Sequence, residues 1–271
     1  MIIWLASYPK SGNTWVRSFL SYYLNGNNEE FSFNILNNIK KFPDISILKE
    51  LKINYEDTSE LIKNWITIQD FINLNNKVNL LKTHNALCTV NGHSFTNSSN
   101  TKGVIYLVRD PRDVLVSFSN HFNLNLNESL KIMKSDEFWE TEKNHNNFKS
   151  SLFGSWKSNY NSWTENKSLK KLIIKYEDLE KNPFKYFSKI INFLKDIANI
   201  KYNDDLIKLS ISKTSFKNLS QLEKKRGFSE STNGYFFRKG YSNQWNELDK
   251  NLIQDINTSF EKEMKELNYL N

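Results

Sequence analysis

The segment MIIWLASYPKSGNTWVRSFLSYYL, Met1–Leu24, changes its pattern twice. Met1–Ser7 is a short apolar run closed by Ser-Tyr-Pro, which reads as a buried strand. Tyr8–Asn13 is a tight polar loop. From Thr14 to Leu24 the apolar residues Trp15, Val16, Phe19, Leu20 and Tyr23 recur at helical spacing. A strand, a small loop holding Lys10, Ser11 and Gly12, and a helix opening at Thr14 together aim backbone N–H groups and a helix dipole at an anion.

Three more short apolar runs are expected as strands: Asn79–Thr83 (NLLKT), Gly103–Val108 (GVIYLV) and Lys171–Lys175 (KLIIK). Helical or polar sequence separates them. That alternation predicts an α/β fold of three layers, with a central parallel sheet flanked by helices. Helices are expected at Arg112–Phe122, Gly154–Glu165, Pro183–Leu194, Asp204–Lys213 and Leu248–Leu267. Asn25–Asn76 and Asn123–Phe153 are polar and weakly patterned, and read as loops or helical lids.

With 271 residues and no linker or composition break, the chain is expected to form a single domain, 1–271. Lid segments are placed near 25–78, 121–153 and 217–237. Cys88 is the one cysteine; it has no intrachain partner and no zinc-ligand spacing around it, and reads as a small apolar residue in a reducing compartment, by default the cytoplasm. The N-terminus lacks a basic n-region and a long apolar h-region, and no run of about 18 apolar residues occurs, so neither a signal peptide nor a membrane span is expected. The net charge of +7 points to an anionic partner, but a Lys-rich solvated surface explains it equally well.

Tyr8-Pro9-Lys10-Ser11-Gly12-Asn13-Thr14-Trp15 resembles the 5′-phosphosulfate loop, YPKSGTTW, of the sulfotransferases that use 3′-phosphoadenosine 5′-phosphosulfate (PAPS). Lys10 precedes Gly12, unlike the GxxxxGK[ST] order of nucleoside-triphosphate loops, so a P-loop phosphotransferase is the less favoured enzyme. Four further matches follow in order. Gly103–Phe122 resembles the family's 3′-phosphate strand and helix, where Arg109 and Ser117 supply a bidentate cation and a hydroxyl; a surface pair of Arg109 with Asp110 or Asp113 is the plainer alternative. Arg112, beside Pro111, reads as the surface charge. Lys82-Thr83-His84 matches the K-x-H that carries the family's catalytic histidine, at the strand end where an open α/β sheet binds its ligand. Phe153-Gly154-Ser155-Trp156 and Tyr176–Pro183 (YEDLEKNP) resemble the GSW helix and the turn whose Tyr176 reaches the adenine; Glu177 and Asp178 are assigned a structural role. Thr214-Ser215-Phe216 and Phe237-Arg238-Lys239-Gly240 resemble the segments that lay an aromatic ring on the adenine, opposite Trp15, and close over the 3′-phosphate.

The resemblance implies a P-loop-like fold and PAPS as donor, with adenosine 3′,5′-bisphosphate (PAP) as product. It implies binding residues Lys10, Ser11, Gly12, Asn13, Thr14, Trp15, Arg109, Ser117, Tyr176, Thr214, Phe216, Arg238, Lys239 and Gly240. His84 is expected to take the acceptor proton, Lys10 to stabilise the leaving oxygen and Lys82 to steady the sulfonate, with no metal required. His93, His121 and His145 read as surface or lid residues. The match departs from the family where Ser242-Asn243-Gln244-Trp245 stands for G-D-W, in lacking the N-terminal extension of the animal enzymes, and in lacking their K-x-x-x-T-V-x-x-x-E dimer motif, which leaves the oligomer open. The compact bacterial members look closer. The acceptor is expected to be a small molecule with a hydroxyl or amine, and neither nucleic acid nor membrane is expected as a partner. A nucleotide binder that has lost the chemistry is the rival of another class; a binder would need Arg109, Ser117 and Arg238 but no base. Ser229–Tyr235 (SESTNGY) reads as a mobile segment that orders over bound ligand.

Overall fold

The computed structural model describes residues 1–26, 29–142, 145–232 and 234–270, without the side chains of residues 142 and 145–147. Four parallel strands, β1 (Ile2–Ser7), β2 (Asn79–Thr83), β3 (Thr101–Val108) and β4 (Lys171–Lys175), form the central sheet in the order β2-β1-β3-β4. Residues of β1 alternate between its two faces with the period of a pleated strand. Ile2, Trp4 and Ala6 pack with Phe42, Phe95, Tyr106 and Trp163 on one side. Ile3 and Leu5 pack on the other with Val16, Phe19 and Leu20 of α1 (Asn13–Asn25), and with Phe187, Ile190 and Leu194 of a helix spanning Pro183–Ala198. Both faces of the sheet are therefore covered, as the continuous apolar runs require.

The register fixes where the strands end. Ala6 lies beside Thr83, Ser7 beside Leu107, and Val108 beside Lys175. The carboxyl ends are thus level, and the residues that follow them, the Tyr8–Gly12 loop, His84, Arg109 and Tyr176, leave the sheet at one edge. In an open parallel sheet that edge is where the chain reversal leaves a crevice.

The segments expected as lids carry real structure. Residues 25–78 contain a 3-10 turn at Phe33–Asn38 and helices at Ile45–Glu50, Thr58–Lys63 and Trp65–Asn73. Lys40–Phe42 runs beside the end of β2, with Lys82 N donating to Lys40 O and Phe42 N to Lys82 O. Residues 123–153 contain a helix, Leu126–Met133, and an antiparallel hairpin of Trp139–Glu142 with His145–Leu152. The C-terminal helix expected over Leu248–Leu267 is two helices, Lys250–Ser259 and Glu261–Glu266, interrupted where Phe260 turns to φ −125° and buries its ring. A helix at Phe216–Arg226, not foreseen in the sequence, leads into the 229–237 segment. No helix among the described residues is long and apolar enough to cross a membrane.

Candidate active site

The loop after β1 turns sharply between the strand and α1. Lys10 and Gly12 both hold left-handed backbone, φ 66° and 96°. This is costly for a lysine and is retained where surrounding structure imposes it. At Gly12 a side chain is further excluded, since a Cβ would lie 2.7 Å from the Tyr176 ring. α1 then opens at Asn13 with no acidic residue in its first turn and no side-chain cap. Asn13 ties the loop down, its Nδ2 donating to Leu5 O (3.0 Å) and Ser7 Oγ (3.2 Å). Trp15 N and Val16 N both donate to Gly12 O, so it is the N–H groups ahead of them, at the positive end of the helix dipole, that are left for an anion.

His84 follows β2, next to the end of β1. Its Nδ1 lies 2.8 Å from Ser7 O and 3.2 Å from Ser7 Oγ. A carbonyl oxygen only accepts, so Nδ1 carries the hydrogen and Nε2 keeps its lone pair. Burial, reinforced by Lys82, depresses the imidazole pKa well below its ordinary 6.5, so the ring is neutral at pH 7. Asn159, on the helix Trp156–Thr164, fixes the backbone here: its Nδ2 donates to His84 O (3.0 Å) and Phe153 O (2.8 Å), and its Oδ1 accepts from Tyr106 OH (2.8 Å).

Arg109 is buried, at 5% exposure. Its guanidinium lies 4.3 Å from the centre of the Tyr176 ring, donates to Lys10 O (3.4 Å) and Tyr241 O (3.1 Å), and comes within 3.7 Å of Asp113. The alternative pairing with Asp113 is thus present only as a long contact inside the site, and Asp110 is taken by Arg112. Arg112 corrects the expectation of a surface charge. It is buried, holds Asp110 through Nη2 at 2.6 Å, donates to Tyr269 O and lies 3.8 Å from the centre of the Trp245 ring. Glu177 accepts from Asp110 N and Tyr269 OH, a structural use.

These groups open onto a cavity of about 550 Å³. Lys10, Gly12, Asn13, Thr14, Trp15, Lys82, His84, Arg109, Ser117, Tyr176, Phe216, Arg238, Lys239 and Gly240 all line it. Two expected binding residues are placed differently. Ser11 is buried behind the loop, with an Oγ that has no partner among the described residues. Thr214 is fully buried and its hydroxyl donates to Ser210 O, so it ends the preceding helix and sets the start of Phe216–Arg226. Phe216 in turn lies against Gly240, where a Cβ would come within 2.2 Å of the ring and φ is 70°.

Four residues outside the expected motifs reach the cavity or brace it. Glu230 inserts its carboxylate between Arg17 and Lys82, 3.0 Å from Lys82 Nζ, with Thr14 Oγ1 at 3.4 Å. Burial works to raise its pKa, but Lys82 and Arg17 outweigh this and keep it ionised far below the usual range. Arg17 also donates to Ile39 O and Leu36 O. Phe236 lies 3.7 Å beneath Lys10 Nζ. His121 lines the cavity rather than the outer surface; burial, with Lys10 and Lys82, pushes its pKa down to about 3. The segment 229–235, expected to be mobile, is anchored here by Glu230 and by Thr232, which donates to His121 O; Asn233 lies outside the described residues. His93 sits in a small hairpin with Val90, and the His145 side chain lies outside the described residues. Cys88 is half-buried, with its thiol pushed up to about 11 by burial. Among the described residues no cluster of three or more His, Cys, Asp or Glu could hold a metal ion.

The family model of the sulfotransferase domain matches residues 2–268. The chain belongs to the sulfotransferase family. It is 26% identical to luciferin sulfotransferase of Photinus pyralis over 79% of this chain, a match that spans only 55% of that protein. It is 26% identical to sulfotransferase 1B1 of Canis lupus familiaris over 89% of this chain and 75% of that one. With human sulfotransferase 1E1 it shares 27% identity over 97% of this chain and 83% of the other. Among solved structures, mouse sulfotransferase SULT7A1 complexed with PAP superposes with a TM-score of 0.59 at 21% identity, covering 97% of this chain and 84% of that one. Retinol dehydratase in complex with androsterone and PAP gives 0.62 at 18% identity, covering 97% and 80%. These structural matches speak to the fold, and the α/β architecture of this sulfotransferase is theirs.

Proposed function

We propose that this sulfotransferase moves a sulfonate group from PAPS to a hydroxyl or amine of a small acceptor, with His84 as general base. The carrying observation is the level register of the strand ends. It gathers the anion-binding loop, His84, Arg109 and Tyr176 at one edge around a shared cavity. The residues fit the donor. The unpartnered Arg109 Nε is a buried polar atom that a phosphate would satisfy, and Trp15 and Phe216 supply flat faces for a base.

In the proposed reaction the acceptor heteroatom bonds to sulfur while the bond from sulfur to the bridging oxygen breaks. The electron pair stays on the leaving 5′-phosphate of PAP, and the acceptor proton passes to Nε2 of His84. Lys10 and the N–H groups of Gly12, Asn13 and Thr14 answer the charge growing on the leaving oxygen, and Lys82 steadies the sulfonate. Arg109, Ser117, Arg238 and Lys239 hold the 3′-phosphate. Since these cations and dipoles supply the positive field, the reading calls for no metal. It takes residues 1–271 as one domain working in the cytoplasm, on small molecules rather than nucleic acid.

The test is transfer itself. With PAPS and a pool of hydroxyl and amine compounds, PAP is expected to form in step with a sulfonated product, and ATP with magnesium to give no phosphorylated one. Phosphoryl transfer from ATP would return the P-loop phosphotransferase; PAP binding without turnover of any acceptor would return the inactive nucleotide binder.

A further inference from the structure

Most aromatic residues of the lid segments pack on one another rather than lining the cavity. Phe31 and Phe33 pack with Tyr22, Phe228 and Phe237 in a separate cluster, Phe42 and Trp65 pack on Phe95, and Tyr55 packs on Phe148. Beyond the donor-binding residues, the lids turn many polar groups toward the cavity. Lys41, Asn123, Glu140, Thr141, Glu230 and Thr232 line it there. Among the described residues of the lids, Phe122, Leu219, Phe236 and Phe237 add the apolar faces of the lining.

The charges in this wall already hold one another. Lys41 Nζ lies 2.7 Å from Glu140 Oε2, which also accepts from Ser150 Oγ at 3.2 Å. Glu230 is held by Arg17 and Lys82. An apolar phenol or sterol seated here would strip water from these ions and return no hydrogen bond, a costly exchange. A strongly charged acceptor would meet both signs already compensated. Neutral hydroxyls suit the wall, because each can donate to a carboxylate and accept from an ammonium or a threonine. Phe122 and Phe236 offer apolar surface to the C–H face of a ring that carries several such hydroxyls.

We propose that the acceptor is a neutral polyhydroxylated ring compound, a sugar or glycoside, recognised by the Lys41–Glu140 pair and Glu230. This rests on the sulfotransferase reading above. It makes Glu140 a specificity-determining residue for the acceptor, contributed by the Trp139–Glu142 strand of the lid hairpin.

The experiment compares kcat/KM, with PAPS as donor, for a set of methyl pyranosides and a disaccharide against 2-naphthol and a sterol alcohol. A site built to bond hydroxyls discriminates strongly, so a preference of about 100-fold or more for the best glycoside is expected. Glu140→Gln is expected to raise the KM for that glycoside about tenfold while kcat falls much less, the signature of lost ground-state binding. A second variant, Lys41→Met with Glu140→Leu, is expected to reverse the preference toward 2-naphthol. PAP titration of each variant separates the two claims. If PAP binds and 2-naphthol or the sterol is preferred, if no glycoside is turned over, or if the glycoside KM ignores Glu140→Gln, the acceptor proposal falls and the sulfotransferase reading stands. If the wild-type protein binds no PAP, the reading falls and takes the proposal with it.

Discussion

The backbone carbonyl of Ser7 accepts a hydrogen bond from Nδ1 of His84 across 2.8 Å, at the point where β1 and β2 end side by side. The contact joins residues 77 positions apart in the chain, and the parallel register puts them there. It selects the tautomer with Nε2 unprotonated.

The first prediction follows from that tautomer and from the depressed pKa of His84. A base must be neutral to act, and here the neutral form persists well below pH 6.5. The acidic limb of the kcat/KM profile is therefore expected to lie well below the ordinary histidine value. His84→Ala is expected to lower turnover by roughly 10²- to 10⁴-fold while PAP still binds. Near-normal turnover in the variant would assign the base elsewhere.

Lys10 gives the donor site its own pH dependence. Burial, then the charge of Lys82, lower its pKa to about 7 in the free protein. An arriving anion favours the protonated amine, so its pKa rises on binding. Affinity for PAP is then fully present below about pH 7 and declines as pH rises, by up to about tenfold per unit, until the bound-state pKa is reached. Calorimetry at about pH 6.5 and about pH 8.5 checks this, together with proton uptake measured in two buffers; equal affinity at both would contradict it.

Gly240→Ala is expected to weaken PAP binding without unfolding the protein. The added methyl falls 2.2 Å from the Phe216 ring, on backbone with φ 70°. The ring must then leave the face that the proposed donor site would offer the base. Losing one base–aromatic stack costs about 1–3 kcal/mol, roughly a 5- to 150-fold rise in Kd. Thermal melting shows whether the fold survives.

Asn159→Leu is expected to destabilise the protein through the carbonyls of His84 and Phe153 and the hydroxyl of Tyr106, all left without their partner. Each such buried group costs about 1–3 kcal/mol. Urea unfolding measures the loss, and a shift within about 0.5 kcal/mol would show that these bonds are replaced easily.

Much of this architecture is legible along the chain because its signals are local. NLLKT and KLIIK are strands over the residues expected, and the Tyr8–Gly12 loop joins β1 to α1 as its composition requires. The features that escape are made by residues far apart in sequence. Glu230 sits in a polar, Ser-rich stretch with no periodicity, and its cationic partners lie 213 and 148 positions away. Arg112 looks exposed beside Pro111 until Trp245 and Tyr269 fold back over it. Phe216–Arg226 carries few apolar residues, so its helical pattern is faint, while the break at Phe260 has neither glycine nor proline to announce it.

The central claim is a donor site for a 3′-phosphorylated nucleotide, and calorimetric titration with PAP addresses it most directly, with ATP and magnesium as the control and Arg109→Ala as the site check. The account predicts tight PAP binding, weak ATP binding, and a loss in the variant of about tenfold or more, as expected for removing a charge-assisted phosphate contact. Absence of PAP binding, or a preference for ATP, would contradict it.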